Sequence, residues 1–337
     1  MRLVPRMTSR AMAIGVAALV AADVALVALA LAHTSPAPAN GSRVGALPVA
    51  TATRAPRTPP PTGASRTPPS PTATSSGTPT TTGPPTVSVE PVPLRSTLVA
   101  LGELAAWRSA AGSCGAGGGA VSVTSDGGKT WSAGAVPAQA VMRVRPSSAT
   151  RAFVISAGAD CAPGVRTTTN GGATWGQAGA VGSTWFRDPA DPQLVHSPGP
   201  REGRPCGATP VLDLAPVTAS GAQVLCGDGT VRATGDSGAS WSPVGAVPGA
   251  VALDARVERG GSTAYVLLRP GDACRGLQVV RVAQTPTASE VLGCVDVAGG
   301  PVEAGTMSLS INGANGWVMV GDRVWRSQDG LRSWAPG

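Results

Sequence analysis

The chain has 337 residues, of which 13% are charged and 3% aromatic, and a formal net charge of +7. Arg2, Arg6, Arg10, Arg43, Arg54, Arg57, Arg66 and Arg95 face only Asp23 and Glu90 in the first 95 residues, so the basic excess lies almost wholly in that leader. The remainder has no clustered basic footprint of the kind nucleic acids select, which excludes a nucleic-acid partner.

Residues 1–10 form a basic tail, and Ala11–Ala32 is an apolar run interrupted only by Asp23. About 20 apolar residues suffice to cross a bilayer. A positive flank before the run keeps the N-terminus in the cytoplasm and exports the rest. A single-pass signal-anchor over 11–32 is the expectation, and the alternative is a secretory signal cleaved near Ala32, after Ala30-Leu31-Ala32. His33–Ser88 is a Pro/Thr/Ser-rich stretch without aromatic residues or cysteines. It cannot bury enough surface to fold and reads as an extended stalk, on the order of 150–200 Å when stretched.

Residues 89–337 carry a repeated eight-residue pattern. Thr124-Ser125-Asp126-Gly127-Gly128-Lys129-Thr130-Trp131 returns as Thr168-Thr169-Asn170-Gly171-Gly172-Ala173-Thr174-Trp175. It returns again as Thr234-Gly235-Asp236-Ser237-Gly238-Ala239-Ser240-Trp241, and more loosely as Ser327-Gln328-Asp329-Gly330-Leu331-Arg332-Ser333-Trp334. A β-rich run precedes each copy, so each reads as a hairpin turn. Glycine supplies positive φ, the Asp or Asn oxygen accepts amides within the turn, and the Thr or Ser hydroxyl bonds back. The tryptophan offers apolar surface to a neighbouring unit. These roles are structural: no metal or cofactor is expected at Asp126, Asn170, Asp236 or Asp329.

The pattern resembles the Asp-box, or BNR repeat, of bacterial sialidases, sortilin-type receptors and photosystem II assembly-factor-like propellers. The resemblance implies an all-β propeller. Trp131, Trp175, Trp241 and Trp334 are separated by 44, 66 and 93 residues, so a unit with a decayed turn at Gln284–Ala288 belongs in the last gap. First strands are expected at Thr97–Leu101, Val141–Val144, Val211–Leu214, Val251–Ala255 and Met307–Ser310. Second strands are expected around Trp107, Phe153, Val224, Tyr265 and Trp317. That makes five four-stranded blades of roughly 40–50 residues. Gly176–Thr209 is either a sixth, degenerate blade or an insertion, and its segment Phe186–Val195 resembles the loop between first and second strands of sortilin-like blades. The chain ends three residues after Trp334, so Val89–Arg95 is expected to donate the last blade's fourth strand and close the ring.

All six cysteines fall in the folded part, which in an exported chain reads as disulfides. The expected pairs are Cys274–Cys294, Cys206–Cys226 and Cys114–Cys161. No C-x-x-C occurs and the histidines are His33 and His196, so zinc is not expected. Arg143, Arg145, Asp213 and Asp254 lie on first strands and are the candidate binding residues of a central funnel. Kinship with sialidases would imply a glycoside hydrolase using a tyrosine nucleophile and an arginine cluster, drawn from Tyr265, Arg143, Arg187 and Arg256. Tyr265 falls on a second strand away from the funnel, so the expectation is a non-catalytic binding or scaffolding module of the cell envelope, with a protein or peptide partner, or a glycan as the alternative. Richness in Ala, Gly, Pro and Arg with Lys129 as the sole lysine is the composition of a high-GC bacterium.

Overall fold

The computed structural model describes residues 89–182, 184–198, 201–257, 263–271, 274–282, 289–297 and 302–337. The expected anchor, the stalk and the turn at Gln284–Ala288 lie outside these residues. The described residues contain strands and turns and no helix.

Six antiparallel sheets follow one another along the chain. Blade 1 is β1 (Ser96–Ala100), β2 (Ala106–Ala110), β3 (Ala120–Thr124) and β4 (Ser132–Gly134). Blade 2 is β5 (Ala140–Pro146), β6 (Ala152–Ala157) and β7 (Pro163–Thr168), and blade 3 is β8 (Phe186–Arg187), β9 (Val195–Ser197) and β10 (Arg201–Gly203). Blade 4 is β11 (Val211–Pro216), β12 (Ala222–Cys226), β13 (Thr230–Thr234) and β14 (Ser242–Ala246). Blade 5 is β15 (Ala252–Val257), β16 (Thr263–Pro270), β17 (Leu277–Val282) and β18 (Glu290–Val295). Blade 6 is β19 (Met307–Asn312), β20 (Asn315–Val320), β21 (Arg323–Ser327) and β22 (Ala335–Pro336). The first strand of each blade neighbours the first strand of the next, and β19 lies beside β1. The result is a closed six-bladed β-propeller.

The second strands are near-continuous apolar runs because both faces of every blade are covered by a neighbour. All five residues of β12 are buried, as are five of the six in β20. The seams between blades hold the core. Trp107, Val121, Val141 and Val154 pack between blades 1 and 2, and Trp185, Val195, Val211 and Val224 between blades 3 and 4. Leu212, Leu225, Leu253 and Val280 fill the seam between blades 4 and 5, and Leu268, Val279, Met307 and Val318 that between blades 5 and 6. Leu98, Ala106, Trp317 and Met319 fill the closing seam between blades 6 and 1. Each fully buried aliphatic side chain contributes about 1.5–3 kcal/mol.

The surplus segment Gly176–Thr209 is the sixth blade, not an insertion. Its first residues do a second job: Val165 and Gly179 exchange N–H···O bonds of 2.9 and 2.8 Å, covering the edge of β7 where a fourth strand would lie. The expected closure by Val89–Arg95 is corrected. The fourth strand of blade 6 is β22 from the C-terminus, with Trp325 paired to Pro336. Pro91 and Pro93 lack the amide donors that a ladder needs. The segment instead forms a strap across one end of the ring, where Leu94 N–H donates to Leu212 O (2.9 Å) and Arg95 N–H to Gly305 O (2.8 Å).

The disulfides pair as expected: Cys114–Cys161, Cys206–Cys226 and Cys274–Cys294. The first ties blade 1 to blade 2 and the second blade 3 to blade 4, while the third closes blade 5 on itself. All three lie at the end where β1, β5, β11, β15 and β19 begin, here called proximal, where the strap also enters; β8 runs the opposite way and reaches this end at Arg187. The repeated turns join third to fourth strands and so lie at the opposite, distal end.

Candidate functional site

The four repeated turns share one hydrogen-bond pattern. In the first, Thr124 Oγ1 donates to Asp126 Oδ1 (2.8 Å) and accepts from Gly128 N–H (3.0 Å). Asp126 accepts from Thr130 N–H (3.0 Å) and from its hydroxyl (2.6 Å). The set recurs around Thr234, Asp236, Gly238 and Ser240 and around Ser327, Asp329, Leu331 and Ser333. In the second turn Asn170 takes the place of the acid: its Oδ1 accepts from the Thr168 hydroxyl and Thr174 N–H and its Nδ2 donates to Thr174 Oγ1, while Thr168 Oγ1 accepts from Gly172 N–H.

The Thr130 hydroxyl and amide, then Thr124, hold the Asp126 carboxyl well below the usual carboxylate range. Ser240 does the same for Asp236, and Ser333 for Asp329. Gly128 and Gly172 have φ of 93° and 85°, and Leu331 takes the same place at 75°. Leu331 is fully buried in the seam between blades 5 and 6. Each turn thus leans on the preceding blade: Trp131 packs with the blade 6 cluster, Trp175 with Trp107, and Trp241 edge-on to Trp185 at 6.0 Å. Asp126→Ala is expected to lower the thermal midpoint, whereas Asp126→Asn retains most of it, as Asn170 already works in the second turn. Thermal denaturation followed by tryptophan fluorescence checks both.

The central channel is lined by the first strands of all six blades, and its cavity is about 150 Å³. A further cavity of about 160 Å³ lies at the proximal end, and the strap residue Leu94 and Arg187 border both. A groove of about 290 Å³ opens at the distal mouth, bordered by Arg143, Arg145, Phe153, Trp185, Pro198 and Thr218.

The four expected funnel residues all border the channel. Three of them fasten one blade to the next rather than standing free or pairing with one another. Arg143 on blade 2 donates to Trp185 O (2.6 Å) and Thr184 Oγ1 (3.3 Å) of blade 3. Asp213 on blade 4 accepts from Leu253 N–H of blade 5 (2.9 Å), and Asp254 on blade 5 accepts from Ile311 N–H of blade 6 (2.6 Å). Two further members complete the series. Arg187 on blade 3 donates to Leu212 O (3.0 Å) and Val211 O (3.3 Å) of blade 4 and to Leu94 O of the strap (2.7 Å). Ser310 on blade 6 accepts from Ala100 N–H of blade 1 (2.9 Å). Arg145 is exposed at the mouth.

Burial sets the electrostatics of this wall. It pushes the Asp254 carboxyl up to about 7 against its two amide bonds, with the Asp213 charge adding to the rise. Burial also raises Asp213, opposed by the Arg187 charge. It lowers the Arg143 guanidinium to about 10, helped by the like charge of Arg145, and lowers Arg187 as well.

Of the cluster a sialidase-like reading would use, Arg143 and Arg187 border the channel. Arg256 donates to Gly313 O (3.2 Å), and Tyr265 sits on β16, the second strand of blade 5, paired with Ala255 and Val282. Among the described residues, no group of three or more His, Cys, Asp or Glu side chains is arranged to hold a metal ion.

No protein-family model matches the chain, and no curated protein sequence does. Solved structures with a similar fold include PorZ, a surface component of the type-IX secretion system of Porphyromonas gingivalis, at 11% identity and TM-score 0.38 over 74% of this chain and 34% of PorZ. The chain therefore spans about a third of PorZ's length. YCF48 bound to D1 peptide is similar at 17% identity and TM-score 0.26, over 74% of this chain and 69% of its own. The lectin of Aleuria aurantia, a six-bladed β-propeller with a fucose recognition mode, is similar at 10% identity and TM-score 0.44, over 75% and 96%.

Proposed function

We propose that the repeated turns are Asp-boxes and that the chain is a membrane-tethered, extracytoplasmic propeller. On this reading its distal mouth binds a protein or peptide of the cell envelope without catalysis. The observation that carries this reading is the use made of the channel's charges. Arg143, Arg187, Asp213 and Asp254 each bond to backbone groups of a neighbouring blade. Groups fixed in that way hold the ring together and are poor candidates for proton transfer to a substrate. The open groove beside them, with exposed Arg145, is where a partner finds unfilled surface. Three disulfides support an oxidising compartment.

The test is capture from native envelope by the full-length chain under crosslinking, with Arg145→Glu as the comparison. A protein partner should be recovered with the wild type and fall about tenfold with the variant, the scale of one interface charge reversed. Recovery of glycans instead, or cleavage of a sialoside, would overturn the reading in favour of a glycan-binding or glycosidase role.

A further inference from the structure

We infer that the ring opens between blades 2 and 3, with Arg143 as the latch. The other five seams each hold an apolar cluster, and among the described residues no such cluster spans this one. The lack of a repeated turn in blade 3 contributes to the difference. Blade 5 also lacks one in its sequence, yet keeps an apolar seam with blade 4 through its strands. Blades 1, 2, 4 and 6 carry a turn whose tryptophan or fifth residue packs against the preceding blade. Blade 3 has no such turn, so nothing of that kind reaches back onto blade 2. The groove of about 290 Å³ occupies this place at the distal mouth.

Strand alternation identifies the two faces that meet there. On blade 3, Arg187 and Val195 are paired and face blade 4, where Arg187 makes its bonds. Phe186, its partner His196 and the next partner Glu202 therefore face blade 2. On blade 2, Val144 and Val154 pack toward blade 1, so Arg143, Ile155 and Val165, which form one cross-strand row, face blade 3.

The polar groups on the blade 3 side are satisfied within their own blade. His196 is 2.9 Å from Asp188 and 3.5 Å from Glu202, and its ring stacks on Phe186 at 4.3 Å. Parting the faces leaves those contacts intact. The bonds from Arg143 to Trp185 O and Thr184 Oγ1 cross the seam and break when it opens. Water then reaches a guanidinium that burial had disfavoured, which lowers the cost of opening. The chain runs directly from blade 2 into blade 3, so the parted faces remain tethered and reclose. Opening enlarges the groove at the mouth and gives an inserting side chain access between the blades.

The test compares two equivalent buried positions in the full chain. Ile155 is the cross-strand partner of Arg143, and Leu225 that of Asp213, and both are fully shielded from solvent. Single substitutions Ile155→Cys and Leu225→Cys are labelled with N-ethylmaleimide under native conditions. The thiol at 155 should react at least about tenfold faster, because local opening sets the rate. Adding Arg143→Ala should raise the rate at 155 and leave that at 225 unchanged. Equal or slower labelling at 155 overturns the proposal. Should either cysteine variant fail to fold, amide hydrogen exchange of the wild type decides. The amides of β5 and β8 should exchange about tenfold faster than those of β11 and β15, and equal protection overturns the proposal.

Discussion

Arg187→Ala should destabilise the propeller by about 3–5 kcal/mol, the range seen when one partner of a buried ionic arrangement is removed. The guanidinium donates to three carbonyls: Val211 O and Leu212 O of blade 4, and Leu94 O of the strap. Its charge also opposes the effect of burial on Asp213. Truncation removes a charged donor from all three carbonyls, of which Leu212 O keeps the Leu94 N–H, and leaves Asp213 without its compensating cation. Leu94 N–H bonds Leu212 O directly, so the strap and blade 4 lose order together. Denaturant unfolding measures the loss, and a double-mutant cycle with Asp213→Asn apportions it. If the two groups act as a pair, Arg187→Ala costs less once Asp213 is neutral. Additive costs would show that the carbonyl bonds alone explain the role of Arg187.

What was legible in the sequence was local. The repeated turns are written within eight residues, and their glycines, acid and tryptophan each announce a role. First and second strands were found because apolar runs around Trp107, Phe153, Val224 and Trp317 mark chains covered on both faces. Blade 3 resisted because β8 has two residues and β9 and β10 have three each, too few to display a period. The strap differs from the expected strand because, although its sequence is extended in character, Pro91 and Pro93 lack the amide donors of a ladder.

The channel wall shows a second limit. Asp213 and Asp254 were placed on the funnel from their positions in first strands, yet their partners lie 40 and 57 residues on, in another blade. Register between blades is set by packing and leaves no local trace. One signal was present: Leu212-Asp213, Leu253-Asp254 and Leu309-Ser310 occupy matching places in β11, β15 and β19. Aligning those strands identifies Ser310 as the uncharged member of the series.

The two ends of the ring are secured by different chemistry. At the distal end, carboxylates or an amide close the turns with hydrogen bonds inside single blades. At the proximal end, disulfides join blade 1 to blade 2 and blade 3 to blade 4, leaving the seam between blades 2 and 3 without one. The strap enters at the disulfide-bonded end, while the hydrogen-bonded turns and the open groove lie at the other end.

Stability should rise on mild acidification, because Asp254 takes up a proton on folding. Its folded value is about 7 against the usual 3.8, since burial in the channel wall outweighs the amides of Ile311 and Ala255 and the Asp213 charge adds to the rise. A raised carboxyl favours the fold fully below the unfolded value and loses that contribution as pH climbs through the folded value. The window is therefore about pH 4 to 7, and between pH 8 and pH 5 the gain is about 2–3 kcal/mol. Asp213 is raised too and acts in the same direction. Asp126, Asp236, Asp329 and Asp188 act in the opposite direction. Their carboxyls are lowered, the last despite burial by His196 and the amides of Ala190 and Asp191. Their contribution is lost only in stronger acid, so the optimum falls near pH 5. Urea unfolding at pH 5, 6.5 and 8 measures the slope, and Asp254→Asn, which cannot titrate, should flatten it by roughly one proton. A wild type equally stable at pH 5 and 8, or a variant with the wild-type slope, would mean that Asp254 stays ionised in the folded ring. Its two amide bonds would then outweigh burial, making it a charged staple rather than a neutral one.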